Sequence, residues 1–261
     1  MESLSNGCNR SKQNISGTRE WADKNINCIK GCSNNCKYCY AKLMAKRFGR
    51  TNEETWSRME VRTEVVKKSY KKYSGRVMFP STHDIIKDSI YEEACFIVLE
   101  KLLKSNNHVL ITTKPSYPII QKINKNFSDF RDNIQFRFTI TSKDDNLLKF
   151  WEPNAPRFKE RLRSLKYSFK NDFKTSVSIE PFLDYDPENL FNMVFPYTTE
   201  SIWLGIMNYI PRNHLKKDEI PFYANIRQNY THDHIQAIYN KFRDYPKIRF
   251  KDTIRKKIGI N

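Results

Sequence analysis

The residues of this sequence with the clearest chemical potential are its cysteines. Four of the six lie between positions 28 and 39, and Cys32, Cys36 and Cys39 are separated by three and then two residues. A structural zinc site normally pairs two Cys-x-x-Cys knuckles across a longer gap, and a thioredoxin-type site needs only two thiols. Three soft thiolates on one short loop instead favour an iron–sulfur cluster. Because a cubane cluster has four irons, three cysteines would leave one iron open to a cofactor or substrate.

The other cysteines do not fit this spacing. Cys28 precedes Cys32 without completing the pattern, and we interpret it as a small buried residue on a strand. Cys95 lies on the apolar face of a helix predicted over residues 89–104, which indicates a core position. Cys8 lies in a polar N-terminal stretch and is interpreted as incidental.

A cysteine loop needs a scaffold, and the hydrophobic pattern predicts one. Apolar β-branched runs alternate with helical patterns in six βα units. Continuous apolar strands are typical of a parallel sheet covered by helices, so an open doubly wound sheet and a full or partial (β/α) barrel both fit. The predicted strands are 25–29, 76–81, 108–114, 135–141, 174–180 and 201–207, and the predicted helices are 41–48, 89–104, 117–125, 156–169, 187–195 and 231–243.

The same pattern suggests how the chain is divided. Residues 1–24 are polar and are predicted to form a loose N-terminal arm. Residues 25–215 hold the six βα units and are predicted to form the α/β core. Residues 216–261 are predicted to supply a C-terminal helix and strand that close this core.

Polar residues recur where the predicted strands end. In both architectures ligands bind at the carboxyl ends of the strands, so these residues are candidates for a site. Strand ends carry polar loop residues in any protein, and Asp84 could instead cap a helix while Glu180 could pair with a basic residue. The recurring residues are Ser81, Thr82, His83, Asp84, Lys114, Ser142 and Glu180.

The cysteine spacing, with the aromatic Tyr38 directly before the last cysteine, resembles the radical S-adenosylmethionine (SAM) superfamily. The resemblance implies a [4Fe–4S] cluster held by Cys32, Cys36 and Cys39, with SAM bound to the open iron. It implies reductive cleavage of SAM to a 5′-deoxyadenosyl radical that takes hydrogen from a substrate. It also implies an electron donor of the flavodoxin or ferredoxin type, and a full or partial parallel (β/α) barrel, here with six units.

Within that superfamily the sequence is most similar to the spore photoproduct lyase group, whose members repair a covalently linked thymine dimer. The similarity covers roughly residues 25–185. It rests on five stretches: "CKYCY" (36–40), "STHD" (81–84), "TTK" (112–114), "QFRFTIT" (135–141) and "FWEPNAPRFKERLRSL" (150–165).

The resemblance implies roles for individual residues. Tyr38 would place backbone groups near the adenine of SAM, and Lys114 would meet the carboxylate of its methionine part. Thr139 would take the place of a serine near the cofactor, and Tyr40 matches a tyrosine that relays a hydrogen atom. The remaining residues expected around the cofactor are Thr82, Asp84, Ser142 and Glu180.

Ser81 departs from the lyase pattern. In the lyases a cysteine at this position returns a hydrogen atom to the product radical. A serine O–H bond is much stronger than a thiol S–H bond and does not readily give up its hydrogen. The resemblance therefore implies the scaffold and the cofactor chemistry but not the lyase reaction, with Ser81 as a candidate for another catalytic role.

Composition bears on partners and location. Lys and Arg number 46 against 29 Asp and Glu, a formal net charge of +17, which favours a polyanionic partner such as nucleic acid. We find neither an apolar run long enough to cross a bilayer nor a signal peptide, so a cytoplasmic location is expected. The leading hypothesis is a radical SAM enzyme acting on nucleic acid in repair or base modification. The alternatives are the same chemistry on a peptide or small metabolite, and a non-enzymatic nucleic-acid-binding protein with a structural metal.

Overall fold

The structure is a computed structural model that describes residues 16–260. Cys8 and most of the predicted N-terminal arm lie outside these residues. The strands are β1 (Lys24–Asn25), β2 (Ile29–Lys30), β3 (Glu60–Val61), β4 (Arg76–Met78), β5 (His108–Thr113), β6 (Ile134–Thr139), β7 (Lys174–Ile179), β8 (Ile202–Leu204) and β9 (Ile248–Phe250). The α-helices are α1 (Tyr40–Arg47), α2 (Thr63–Lys67), α3 (Ser89–Lys104), α4 (Tyr117–Asn126), α5 (Asp145–Trp151), α6 (Phe158–Lys170), α7 (Glu188–Val194), α8 (Ile220–Asn229), α9 (His232–Phe242) and α10 (Asp252–Ile258).

Seven of the strands form one parallel sheet that curves into a partial barrel. Their order is β1-β4-β5-β6-β7-β8-β9, and every neighbouring pair is parallel. The prediction of an α/β partial barrel is confirmed. The strand count differs from the six predicted units because β9, from the predicted C-terminal segment, adds a seventh strand by pairing with β8.

The core lies between this sheet and its helices. Every residue of β6 is buried, and Phe136 and Phe138 stack with ring centroids 5.2 Å apart. Helix α3 begins at the cap Asp88, whose carboxylate accepts from two backbone N–H groups, and it buries an apolar face that includes Cys95. Burying each large apolar side chain of this kind contributes about 1.5–3 kcal/mol. None of the helices within residues 16–260 is long and apolar enough to cross a membrane.

The described part of the N-terminal segment lies against the last strands of the sheet. Residues Gly17–Glu20 form a 3₁₀ turn, and the ring of Trp21 meets Trp203 edge to face at 5.9 Å. The Glu20 carboxylate pairs with Lys251 and, at 2.8 Å, with Arg255. Glu20 therefore links the start of the described residues to their end. The division into arm, core and closing segment stays a prediction.

Candidate active site

The cysteine loop starts directly after β2, where a glycine is required. Gly31 has a φ of +77°, and a Cβ at this position would lie 2.6 Å from the backbone oxygen of Trp56. The next residue, Cys32, donates its backbone N–H to the same oxygen at 3.0 Å. Only glycine combines this backbone conformation with so close an approach, so the first cysteine is held tightly against the 56–60 segment.

The rest of the loop is closed by local hydrogen bonds. Asn35, with a positive φ of 46°, donates its backbone N–H to the oxygen of Cys32 at 3.3 Å. Cys39 caps the N-terminus of α1, where its sulfur accepts from the backbone N–H of Lys42 at 3.4 Å. The Lys42 ammonium in turn donates to the side chain of Asn35 at 3.2 Å. The loop is therefore a compact turn that leads straight into a helix.

The segment between α5 and α6 fixes this loop to the sheet. The backbone N–H of Lys37 donates to the oxygen of Trp151 at 2.9 Å, and the side-chain amide of Asn154 donates to the oxygen of Ser33 at 2.8 Å. The hydroxyl of Tyr38 donates to the carboxylate of Glu152. The sequence pattern of this segment carries a family resemblance but predicts no role for it, because these contacts are not visible in a linear pattern.

Glu152 is the centre of a fully buried polar network. It forms an ion pair with Arg161, and both side chains are 0% exposed. It also accepts from Thr141 at 2.7 Å, while Arg161 donates to the backbone oxygen of Thr139 at 3.2 Å. Burial alone would raise the pKa of Glu152, but Arg161 and the nearby Lys114 outweigh it and lower that pKa. The carboxylate therefore stays charged and holds Tyr38 beside the second and third cysteines.

Asp84 joins the cysteine loop to the end of β5. One of its oxygens accepts from the Thr113 hydroxyl and from the backbone N–H of Ile85. The other accepts from the side chain of Asn34 and the backbone N–H of Lys114, both at 2.9 Å. Burial raises the pKa of Asp84, and these hydrogen bonds oppose the increase. Its two oxygens are already used in organising the loop, and a direct contact with the cofactor stays a prediction.

One large cavity, of about 1950 Å³, opens at the carboxyl ends of the strands. It brings together all but one of the residues that the sequence predicts for the site. They are Cys32, Cys36, Tyr38, Cys39, Tyr40, Ser81, Thr82, His83, Asp84, Lys114, Thr139 and Glu180.

Ser142 is the residue that the structure does not bring to this cavity. It is completely buried, its hydroxyl donates to Asp184 at 2.5 Å, and its oxygen accepts from the backbone N–H of Asp144 at 2.8 Å. It shapes the turn that leads into α5, and the geometry gives no support to the prediction that it binds the cofactor.

The thiols suit a cluster better than a single metal ion. Cys32, Cys36 and Cys39 all face the cavity, yet among residues 16–260 no group of three or more Cys, His, Asp or Glu side chains could hold one ion. In a cubane each thiolate binds a different iron, so the three sulfurs need not converge on one point. Burial raises the pKa of Cys32 to about 12 and also raises that of Cys36, so metal binding would have to displace their protons. Three thiol donors on one cavity wall fit a cluster with an open position.

Lys114 places a positive charge at the same wall. Burial alone would lower the pKa of its ammonium, but Cys36, Glu152 and Asp84 hold it above the usual range. The ammonium lies 5.5 Å from the centre of the Tyr38 ring. A buried cation in this position suits an anionic group bound in the cavity.

The cavity rim is mainly basic. Arg19, Arg50 and Arg58 line it, and within the part of the chain that the structure describes none of the three has a carboxylate partner. Arg50 lies over the exposed ring of Phe48 at 5.2 Å. Unpaired guanidinium groups are suited to phosphates, and the one beside the exposed Phe48 ring is also suited to a stacked base. The sequence predicts the overall positive charge but does not locate it.

Solved structures share the fold of this chain. Its partial α/β barrel is similar to that of spore photoproduct lyase, a radical SAM fold. A mutant of that lyase with bound AdoMet and dinucleoside spore photoproduct is 15% identical, with a TM-score of 0.52 over 88% of this chain and 76% of the lyase. At this level of identity the similarity concerns the fold alone.

The chain belongs to the family described as "Protein of unknown function (DUF5131)", which matches residues 16–206. It is 28% identical over 172 residues to the uncharacterized protein ORF301 of Acidianus two-tailed virus, a match that covers 62% of this chain and 55% of the viral protein. It is 27% identical over 180 residues to the uncharacterized protein MJ0683 of Methanocaldococcus jannaschii, covering 66% of each. The chain thus spans between half and two thirds of these curated relatives.

Proposed function

We propose that this chain is a radical SAM enzyme that acts on nucleic acid. The observation that carries the proposal is the set of three thiols on one loop, Cys32, Cys36 and Cys39, facing a single large cavity in a radical SAM fold. When bound there, a [4Fe–4S] cluster and SAM would supply a 5′-deoxyadenosyl radical that takes a hydrogen atom from the substrate. A one-electron donor of the flavodoxin or ferredoxin type would be required.

The chain's own residues would bind and orient the cofactor. The Lys114 ammonium would form an ion pair with the carboxylate of SAM. Tyr38, fixed by Glu152, would hold its backbone beside the adenine, and Thr139 would offer a hydroxyl from the end of β6. Tyr40, exposed at the cavity edge, would be placed to exchange a hydrogen atom with the substrate.

Nucleic acid is favoured as the substrate by the net charge of +17 and by the unpaired arginines of the rim. A neutral peptide or small metabolite would gain little from Arg19, Arg50 and Arg58. Phosphates would gain charge-assisted hydrogen bonds from each of them.

The cluster is tested by anaerobic reconstitution with iron and sulfide. We expect about four irons and four sulfides per chain and cleavage of SAM once the protein is reduced. Changing Cys32, Cys36 or Cys39 to Ala should abolish both the cluster and the cleavage of SAM. Cys28→Ala is the matched control, because its thiol is buried beside Cys95 with the sulfurs 3.7 Å apart and does not line the cavity. Stoichiometric zinc without sulfide would contradict the proposal.

The substrate class is tested by the salt dependence of nucleic-acid binding. Removing one arginine that neutralises a phosphate should reduce the slope of log affinity against log salt by about 0.7 for single strands and 0.9 for duplex DNA. Arg50→Gln and Arg58→Gln should each weaken binding and flatten the slope. Lys170→Gln is the control, because it removes an exposed charge at the end of α6 away from the cavity. It should leave both the affinity and the salt slope unchanged. Affinity that does not vary with salt would favour the peptide or metabolite alternative.

Ser81 separates the proposed activity from that of the lyases. Its hydroxyl accepts a hydrogen bond from Asn27 at 2.9 Å, and it offers no weak bond from which a product radical could take hydrogen. The reduced protein should therefore cleave SAM but fail to repair a spore-type thymine dimer, as measured by chromatography of the products. Efficient repair by the unmodified protein would show that another residue donates the hydrogen. Cys95 would then be the first residue to test.

A further inference from the structure

The Glu180 side chain lies in the cavity against Gly205, in space that a larger residue at position 205 would fill. It follows the last residue of β7 and lines the cavity. A Cβ on Gly205 would lie 2.6 Å from the Glu180 Cγ and 2.9 Å from its carboxyl carbon. Gly205 is also fixed in position, since its backbone oxygen accepts from Phe182 at 3.0 Å and its N–H donates to Ile179 at 3.2 Å. The absence of a side chain at Gly205 therefore leaves the space in which the Glu180 carboxyl lies.

The Glu180 carboxyl has no hydrogen-bond or ion-pair partner among the residues from 16 to 260. Basic groups lie near it, but each has its own contacts. Lys251 pairs with Glu20, and Arg137 lies between Trp21 and Trp203 at 4.6 and 5.3 Å from the ring centres. Burial raises the pKa of Glu180 to about 7, and Lys251 opposes the increase. The carboxyl is only partly buried and has no protein partner, so its oxygens are free to accept hydrogen bonds from a ligand in the cavity.

The cavity wall beside Glu180 is polar. Thr112, Thr139 and Ser178 line it from the neighbouring strands β5, β6 and β7, and the buried hydroxyl of Thr112 has no partner in the described chain. The cysteine loop is joined to the end of β5 through Asp84, and β7 lies two strands further along the sheet, at about 4.8 Å per step. Glu180 is therefore placed to meet a group that extends along the cavity beyond the residues that hold the cysteine loop.

A carboxylate with both oxygens free selects a group that presents two adjacent N–H donors. Among the common bases only guanine does so on its Watson–Crick edge, through its imino and amino groups. Adenine and cytosine place a ring acceptor beside the amino group, and thymine or uracil flanks its imino group with carbonyl oxygens, which repel a carboxylate. In a duplex this edge is already paired, so the base would have to be unpaired or flipped out.

We propose that Glu180 reads the Watson–Crick edge of an unpaired guanine in the nucleic-acid substrate. This inference rests on the proposed function. A well-placed bidentate contact to a base edge discriminates against other bases by about tenfold or more. The arginines of the rim would hold the phosphates of the strand while the guanine enters the cavity.

The test is the affinity of the cluster-loaded protein for short single-stranded thymidine oligonucleotides that carry one central guanine, hypoxanthine or adenine. Hypoxanthine lacks only the amino group of guanine. We expect the guanine oligonucleotide to bind at least about tenfold more tightly than the other two. Glu180→Gln should remove this preference and leave the affinity for SAM unchanged. Glu188 is an exposed carboxylate of α7 that pairs with Lys241. Glu188→Gln is the matched control and should retain the preference for guanine.

The outcomes separate this inference from the proposed function. If the oligonucleotides bind without a preference for guanine, or if Glu180→Gln keeps the preference, the inference fails and nucleic-acid binding stands. If Glu180→Gln instead lowers the affinity for SAM, Glu180 is a cofactor ligand and the inference is wrong. If no oligonucleotide binds, the nucleic-acid substrate and the inference fall together. The hypoxanthine comparison uses the unmodified protein, so it decides the question even if Glu180→Gln does not fold.

Discussion

The Glu180 carboxyl is surrounded by charges that come from several elements. Arg137 approaches from β6, Lys251 from the end of β9, Asp252 from α10 and Glu20 from the N-terminal segment. Burial and the two acidic neighbours raise its pKa to about 7, against the opposing effect of the two basic residues. The protonation state of this group therefore changes within the ordinary range of pH.

We expect the preference for guanine to depend on pH. Above pH 7 Glu180 is largely a carboxylate and accepts two N–H groups. As the pH falls through its raised pKa, the group becomes protonated and one acceptor is replaced by a donor, so the preference should decline between about pH 8 and pH 6. Oligonucleotide titrations across this range measure it, with Glu180→Gln as the pH-independent control. A preference that stays constant from about pH 6 to pH 8 would argue against a titrating carboxylate at the contact.

At the scale of elements, the connection between α5 and α6 determines where the cysteine loop lies. Glu152 contacts Tyr38 across 114 residues of sequence and is itself held by Arg161. Because both members of the ion pair are fully buried, neither can be solvated when the other is removed.

Glu152→Gln should therefore destabilise the protein by about 3–5 kcal/mol, because it leaves Arg161 without its counter-charge. Tyr38→Phe removes a hydrogen bond to a charged carboxylate and should cost about 1.5–3 kcal/mol. Both variants should lose the reconstituted cluster to a chelator faster than the unmodified protein. Denaturant unfolding and the decay of cluster absorbance measure the two effects. Glu200→Gln, at an exposed turn before β8, is the control and should change neither the stability nor the retention of the cluster. Equal cluster retention in all variants would show that the cysteine loop holds its position without Glu152.

The sequence correctly predicts those features that depend on residues close together in the chain. The cysteine turn and the long apolar strands β5, β6 and β7 depend on neighbouring residues, and their pattern predicted them. The buried positions of Cys28 and Cys95 are likewise confirmed, since both are 0% exposed.

The sequence does not locate short or non-local features. Residues 216–261 are predicted to supply a strand, but β9 has only three residues, too few for a pattern to locate it, and it depends on pairing with β8. Helix α5 is only seven residues long. The role of Glu152 and the space left by Gly205 arise where distant segments meet, and no local pattern encodes them.

Across the whole molecule, Glu20 binds the first described turn to the last strand and helix. Its side chain is 5% exposed and that of Lys251 is 3% exposed, so this is a buried ion pair rather than a surface one. The Lys251 ammonium also donates to the backbone oxygen of Gly17 at 2.6 Å and lies over the Trp21 ring at 4.5 Å.

Glu20→Gln should lower the free energy of unfolding by about 3–5 kcal/mol, because Lys251 would remain buried without a counter-charge. Urea unfolding measures this decrease. Glu100→Gln breaks an exposed pair with Lys104 on α3 and should cost no more than about 1 kcal/mol. Equal effects of the two substitutions would mean that the N-terminal segment adds nothing to the closure of the barrel.

The order of the strands has a consequence for how the protein is made. The strands of the parallel sheet follow one another in the sheet as they do along the chain, so each can pair with a neighbour already synthesised as it leaves the ribosome. The cysteine loop emerges early, but its anchor Glu152 follows more than a hundred residues later. Glu20 and Arg255, 235 residues apart, meet only after all seven strands of the parallel sheet have been synthesised. Insertion of the proposed cluster should therefore follow the synthesis of α6 and its folding against the sheet.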